Sequence, residues 1–322
     1  MKNMFWVVML FVMCVATSYG QYNGECWVVS GGDTVYKLHA NGNADPTVIP
    51  NLAQASAAEV NPTNGVAWIA ISASNAVFRY DQAAQPPDEP FIKAPDIKRP
   101  NMISVNPADG TVWVAWLDGV SKLSSDGKQI LAQVVPPGGP PNVETGRFNV
   151  AVNPKDGSVW IADARGPINR YDANGTQIAT GPTMQEPKGG VAVDYEGNAW
   201  VADSQFNALM RISPTGQELV KLTITSPVSP RVNPKNGSVW VVSEQSMLLN
   251  LSADGTKMNE FPAGMAVVGI SLSPSDNGIW VADMLGATFT GEVSKYATNG
   301  TKLFANPIPQ PSSVSVGFWE GN

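Results

Sequence analysis

The chain has 322 residues, 43% of them hydrophobic, with 20 basic and 27 acidic side chains and a formal net charge of −7. An acidic balance disfavours nucleic acid and anionic membrane surfaces as partners, because both repel it. With 2 cysteines and 1 histidine, the sequence holds no Cys/His metal cluster, and it carries neither a phosphate loop nor a nucleophile elbow.

Residues 1–20 read as a secretory signal peptide. Lys2 gives a positive start, "MFWVVMLFVMCVA" is an apolar stretch, and "TSYG" offers small residues for cleavage before Gln21. The stretch is too short and wrongly flanked for a membrane span. Met13 precedes Cys14 where a lipid-attachment motif would need a small residue. No later segment is apolar for long enough to cross a bilayer, so residues 21–322 are expected to be exported, secreted or periplasmic, and monomeric. Without the leader, Cys26 is the one cysteine left, which excludes an internal disulfide.

Seven tryptophans then recur along the chain: Trp27, Trp68, Trp113, Trp160, Trp200, Trp240 and Trp280, at spacings of 41, 45, 47, 40, 40 and 40 residues. Each opens one short apolar run, such as "AWIAI", "VWIAD" or "IWVAD". A strand-rich repeat of this period predicts a β-propeller. The repeat is clearest over residues 149–180. "NVAVNPKDG" alternates into an Asn-Pro turn, "SVWIAD" is a second strand, "PINRYDANG" a third ending in a tight turn, and "TQIAT" a fourth. Four antiparallel strands per blade and seven blades follow. At the end of the chain, "SVSVGFWEG" resembles a first strand without successors, while "ECWVVS" is a second strand without a predecessor. The C-terminal strand is therefore expected to complete the first blade and close the ring, which removes exposed sheet edges.

The run from 186 to 222, "EPKGGVAVDYEGNAWVADSQFNALMRISPTGQELVKL", with its Pro-Gly start, "VAVD", "WVADS" and "N…LMRI…TG", resembles the NHL-repeat and virginiamycin B lyase-like propellers. The resemblance spans residues 24 to 321. It implies the propeller fold and leaves activity open, since such propellers include binding modules, scaffolds, lyases and lactonases. Relatives of the lyase type use histidine as general acid or base near the propeller mouth. The only histidine here, His39 in "KLHANG", sits in a turn on the other face. No catalytic residue of that family can be carried onto this chain.

The turns separate two faces. First-to-second and third-to-fourth turns are short and Gly-bearing, whereas the long connections, 81–101, 135–148 and 283–292, lie on the opposite face. Function is expected on that long-loop face. Trp116 lies outside the repeat position and is the candidate for stacking on a ligand. Asp163, Asp203 and Asp283 end the second strand of three blades at one height. Three such carboxylates could hold a divalent cation such as calcium, or each could cap the next loop as an Asx turn. Asp118, Glu144, Arg147 and Arg165 complete the ligand-binding set, and no residue is assigned to catalysis. In the innermost strands Glu59 and Arg231 stand where the other blades have small residues, and their blades lie roughly opposite. A basic residue recurs in the third strand as Lys37, Arg79, Lys122, Arg170, Arg211 and Lys295, expected as a stem packed between sheets with its charge in water.

These features lead to an exported, non-enzymatic propeller that binds a protein, glycan or small ligand through its long-loop face. The alternative is a metal-dependent lyase or lactonase-like enzyme at the propeller mouth, using Asp163, Asp203 or Asp283 with Glu144 or Arg147.

Overall fold

The structure is a computed structural model. It describes residues 14–15, 26–30, 34–49, 52, 55–61, 63–80, 91–92, 97–136, 148–164, 166–187, 190–273, 276–284, 290–309, 311 and 316–317. The fold is an all-β propeller. Six sheets have four antiparallel strands each, and a further sheet, formed by Cys26–Ser30, Thr34–Leu38 and Ala44–Ile49, has three. Among the described residues the only helical element is a 3-10 turn at Glu244–Ser246.

The repeat tryptophans explain why the sheets assemble. Six lie on the second strand of their sheet and Trp27 on the first strand of the three-stranded sheet, and all seven are at most 1% exposed. Each inserts into the following blade: Trp113 packs with Phe148, Val150 and Ile161, Trp160 with Val191, Val201 and Met210, and Trp200 with Val239 and Val241. Trp280 of the last sheet packs in one cluster with Cys26, Val28 and Val29 of the first. A large aromatic at every interface gives each blade apolar area that it cannot bury alone. Cys26 is fully buried there as a small apolar side chain.

The turns follow the sequence closely. In the Trp160 blade, Asn153 accepts the Gly157 N–H on its backbone carbonyl at 2.9 Å, and its side-chain oxygen accepts the Lys155 N–H at 3.1 Å. Gly157 has a φ of +70°, the conformation that a residue with a Cβ resists. The outermost strands carry a recurrent irregularity. Register shifts by one residue at Leu131, Ile178, Leu219, Met258 and Leu303, in five of the sheets. These bulge residues are the exposed apolar side chains of the rim, at 49 to 52%. A bulge there breaks the ladder that an edge would otherwise offer to another chain.

Two expectations need correction, and the pairing of the C-terminal strand differs from the one expected. The segment 81–101 is not all loop: Phe91–Ile92 forms the fourth strand of the Trp68 blade, opposite Phe78 and Val77. The connection after Asp283 is also shorter than expected, because Thr290–Tyr296 already belongs to the third strand. At the C-terminus, Val316–Gly317 pair in parallel with Cys14–Val15 and not antiparallel with Cys26–Ser30. Ser30 instead bridges Pro311. Most of the "SVSVGFWEG" segment lies outside the described residues.

Candidate functional site

Asp203 and Asp283 end second strands on the long-loop side and are at most 1% exposed. Asp203 Oδ2 accepts the Gln185 N–H at 2.9 Å, while its Oδ1 accepts from Glu186, Gln205 and Phe206 at 3.3, 3.1 and 3.0 Å. Asp283 accepts from Met265 and Ala266 at 2.9 and 2.8 Å. Each carboxylate thus satisfies backbone donors of the loop leading into its own blade, as an Asx-type cap does. Asp163 is equally buried, and its backbone carbonyl receives the Gly166 N–H at 3.4 Å. Among the described residues no group of three or more His, Cys, Asp or Glu side chains is placed to hold a metal ion. Asp203 and Asp283 brace two separate loops.

Trp116 is buried rather than presented to solvent. It is 8% exposed, lies in the cluster with Trp68 and Ile103, and donates its indole N–H to Ser121 Oγ at 2.9 Å. A ring packed this way is a wall of the core. Asp118 is half-buried in the adjoining two-residue turn. Glu144, Arg147 and Arg165 lie outside the described residues, as do most of 81–96 and all of 137–147.

The recurrent third-strand bases have a role that the sequence alone does not reveal. Lys122 donates to the Ala173 carbonyl at 3.0 Å, Arg170 to Pro214 at 3.2 Å, and Lys295 to Ala40 at 3.3 Å. These acceptors occupy one repeat position, in the second hairpin turn of the following blade. Lys122 and Lys295 also lie over their own blade's tryptophan, 5.9 and 5.2 Å from the ring centroid. In these three the charge therefore does not reach water as expected: it links neighbouring blades through a carbonyl, whereas Arg211 pairs with Asp194 and Glu196 of its own blade. Where the repeat has Asn250 in place of a base, Asn259 makes the equivalent bond to Thr298 at 3.0 Å.

In the innermost strands, Glu59 pairs in register with Trp68 and Arg231 with Trp240. Glu59 is 9% exposed and its Oε2 meets no protein donor. Burial pushes its carboxyl up to about 8, against the opposing pull of the Val105 N–H and the Arg231 charge. Arg231 is lowered to about 10 by burial, with the Glu59 charge acting in the other direction. Each group's charge thus acts on the other. His39, half-buried in its hairpin turn, is on the short-turn face, and its backbone N–H donates to Asn43 at 2.8 Å.

No protein-family model matches the chain, and no curated protein matches it. Solved structures do. A functionally unknown protein from Desulfotomaculum acetoxidans DSM 771 superposes with a TM-score of 0.69 at 12% identity, over 88% of this chain and 95% of that one. Streptogramin B lyase is similar with a TM-score of 0.61 at 18% identity, over 83% and 88% of the two chains. Dihydro-heme d1 dehydrogenase NirN is similar with a TM-score of 0.61 at 11% identity, over 93% of this chain and 76% of that one. At such identities the likeness concerns architecture: the chain has the β-propeller fold.

Proposed function

We propose that the protein is an exported, seven-bladed propeller that binds a protein, glycan or small ligand through its long-loop face, without catalysis. The observation that carries this reading is the bracing of that face. Asp203 and Asp283, buried at the ends of second strands, grip the backbone of the loops above them. Loops held from below are pre-organised, which lowers the entropy lost when they bind. On the opposite face the hairpins close on themselves through their own backbone bonds. The seven-blade count rests on the tryptophan repeat and on the packing of the Trp280 sheet against the Trp27 sheet. For the ring to be completed by the C-terminal strand, the support is that Val316–Gly317 lie against both Val267–Leu272 and Ala55–Val60.

The lyase or lactonase-like reading draws on the likeness to streptogramin B lyase. Against it, the one histidine is remote from the long-loop face and two of the three candidate metal-binding carboxylates already accept backbone N–H groups. A panel of lactones, esters and sugar acids, assayed with and without chelator, separates the two. Saturable binding without turnover on that panel or a glycan array supports the proposal. Metal-dependent turnover lost on chelation refutes it.

A further inference from the structure

A cleft of about 370 Å³ lies on the short-turn face, between the Trp68 and Trp113 blades. That volume falls at the lower end of the range for small-molecule sites. Its walls are the first hairpin turns of both blades and the second hairpin turn of the Trp113 blade. The turns are fixed to one another and to themselves. The Thr63 hydroxyl donates to the Pro107 carbonyl at 3.2 Å across the blade boundary, and Asn61 Oδ1 accepts the Thr63 N–H at 2.9 Å.

The charged groups lining the cleft are Arg79, Asp109 and Asp126. Arg79 is the third-strand base of its blade, in register with Trp68. In three other blades that base pairs with an acid in the first hairpin turn of its own blade: Arg170 with Asp156, Arg211 with Glu196 and Lys295 with Asp276. In the Trp68 blade the position of Asp156 is held by Asn64, a neutral amide whose Oδ1 accepts the Val66 N–H at 3.0 Å. The cleft thus opens where other repeats supply their base with a carboxylate. Arg79 also interacts with other parts of the protein, which limits the freedom it would lose on binding.

Asp109 and Asp126 come from the facing blade. Their hydrogen bonds fall on Oδ1: Asp109 accepts from the Thr111 N–H and hydroxyl at 2.8 and 2.6 Å, and Asp126 from the Ser124 hydroxyl and Lys128 N–H at 2.6 and 3.0 Å. The second oxygen of each is left to the cleft. The Ser124 hydroxyl, helped by the Lys128 N–H, holds the Asp126 carboxyl below the usual carboxylate range, so it is ionised at neutral pH.

We propose that this cleft binds a free α-amino acid, with its carboxylate on the Arg79 guanidinium and its ammonium group on Asp109 or Asp126. The mixed charge of the lining selects the class. Asp109 and Asp126 repel a simple anion and Arg79 repels a simple amine, whereas an amino acid matches both signs. Its carboxylate takes beside Arg79 the place that Asp156 takes beside Arg170. Because two acids face one base, a basic side chain gives the second carboxylate a partner, and lysine is preferred to a neutral amino acid. The inference stands apart from the long-loop reading, because no residue of the long-loop face takes part.

The test is calorimetric titration of the full chain at neutral pH and constant ionic strength with L-lysine, L-alanine, L-glutamate, acetate and ethylamine. One-to-one saturable binding is expected for L-lysine and, more weakly, for L-alanine, with L-glutamate weaker still. Acetate and ethylamine, each lacking one of the two charges, should bind about tenfold less tightly than L-alanine. Asn64→Asp gives Arg79 the acid that other blades have; it should leave the fold intact and weaken L-lysine about tenfold. Arg79→Gln should abolish binding, and Asn64→Asp decides the matter if that variant does not fold. Asp126→Asn, which leaves one carboxylate, should remove the preference for L-lysine over L-alanine. Absence of saturable L-lysine binding, acetate or ethylamine binding as tightly as L-alanine, L-glutamate matching L-lysine, or undiminished affinity in Asn64→Asp would each overturn the proposal. Substitutions in 137–147 should leave L-lysine binding intact, so loss of the long-loop reading and loss of this one are separate results.

Discussion

Lys295 of the Trp280 sheet donates to the carbonyl of Ala40 in the Trp27 sheet at 3.3 Å, two sheets at opposite ends of the chain. Its side chain is 2% exposed, lies over Trp280, and pairs with Asp276 at 2.7 Å. The interface between the Trp280 and Trp27 sheets thus uses the same device as the Lys122 and Arg170 interfaces.

Replacing Lys295 with Met keeps the stem and removes the charge-assisted bonds. We expect a loss of about 1.5–3 kcal/mol, the usual range for hydrogen bonds to a charged group. Lys257→Met is the control. Its pair with Glu260 is largely exposed, at 58% and 34%, and should be worth less than about 1 kcal/mol. Urea unfolding of both variants decides; equal effects would deny the interblade role.

The tryptophans should be costly to remove but not all alike. Trp160→Ala and Trp200→Ala should each destabilise by about 3–5 kcal/mol, as expected for a large aromatic lost from a core. Phe substitutions should separate the two sites. Trp160 donates its indole N–H to the Gly197 carbonyl at 3.1 Å, whereas the Trp200 N–H is buried without an acceptor. Trp160→Phe should therefore cost about 1 kcal/mol more than Trp200→Phe. The reverse order in thermal or denaturant melts would contradict these contacts.

Glu59 gives the fold a pH signature. Its carboxyl titrates near 4.5 when exposed and near 8 when folded. Between those values the folded state holds a proton that the unfolded state has lost, so stability falls as pH rises through the window and levels off above it. Glu59→Gln should remove this component and gain on the wild type from pH 5 to pH 8. Denaturant midpoints at pH 5, 7 and 9 check it. A constant difference between the two proteins would mean that Glu59 titrates like a surface carboxylate.

The architecture was legible because its signals are local and repeated. Trp27 to Trp280 mark the second strands, and Asn153 and Gly157 mark a hairpin whose backbone demands those residue types. What stayed hidden depends on pairs distant in sequence. Lys122 reads as a surface stem until Ala173 of the next blade is beside it. Trp116 reads as a free aromatic until its register places it against Ser121 and the Trp68 cluster. The Phe91–Ile92 strand was missed because two residues amid proline-rich sequence carry no periodicity. Glu59 and Arg231 stand out in the sequence because both break a column of small residues, while the bulges that accompany them have no composition of their own.

Deleting residues 312–322 tests the proposed closure by the C-terminal strand. The shortened chain should melt at lower temperature or aggregate, because inner sheet edges become accessible. Unchanged stability would rule that closure out.

The central claim concerns which face works, and paired measurement of affinity and stability on two sets of variants tests it most directly. Substitutions within 137–147 and 86–99 should impair binding of the ligand found on the panel or array and leave the melting temperature within a degree or two. Gly175→Val and Gly255→Val should do the opposite. Both glycines have a φ near +90°, at +87° and +90°, and a side chain at Gly255 would lie 3.0 Å from Leu222. Affinity lost in the loop set, with stability lost in the turn set, is the predicted result. Affinity lost at unchanged stability in the turn set would put the working surface on the other face.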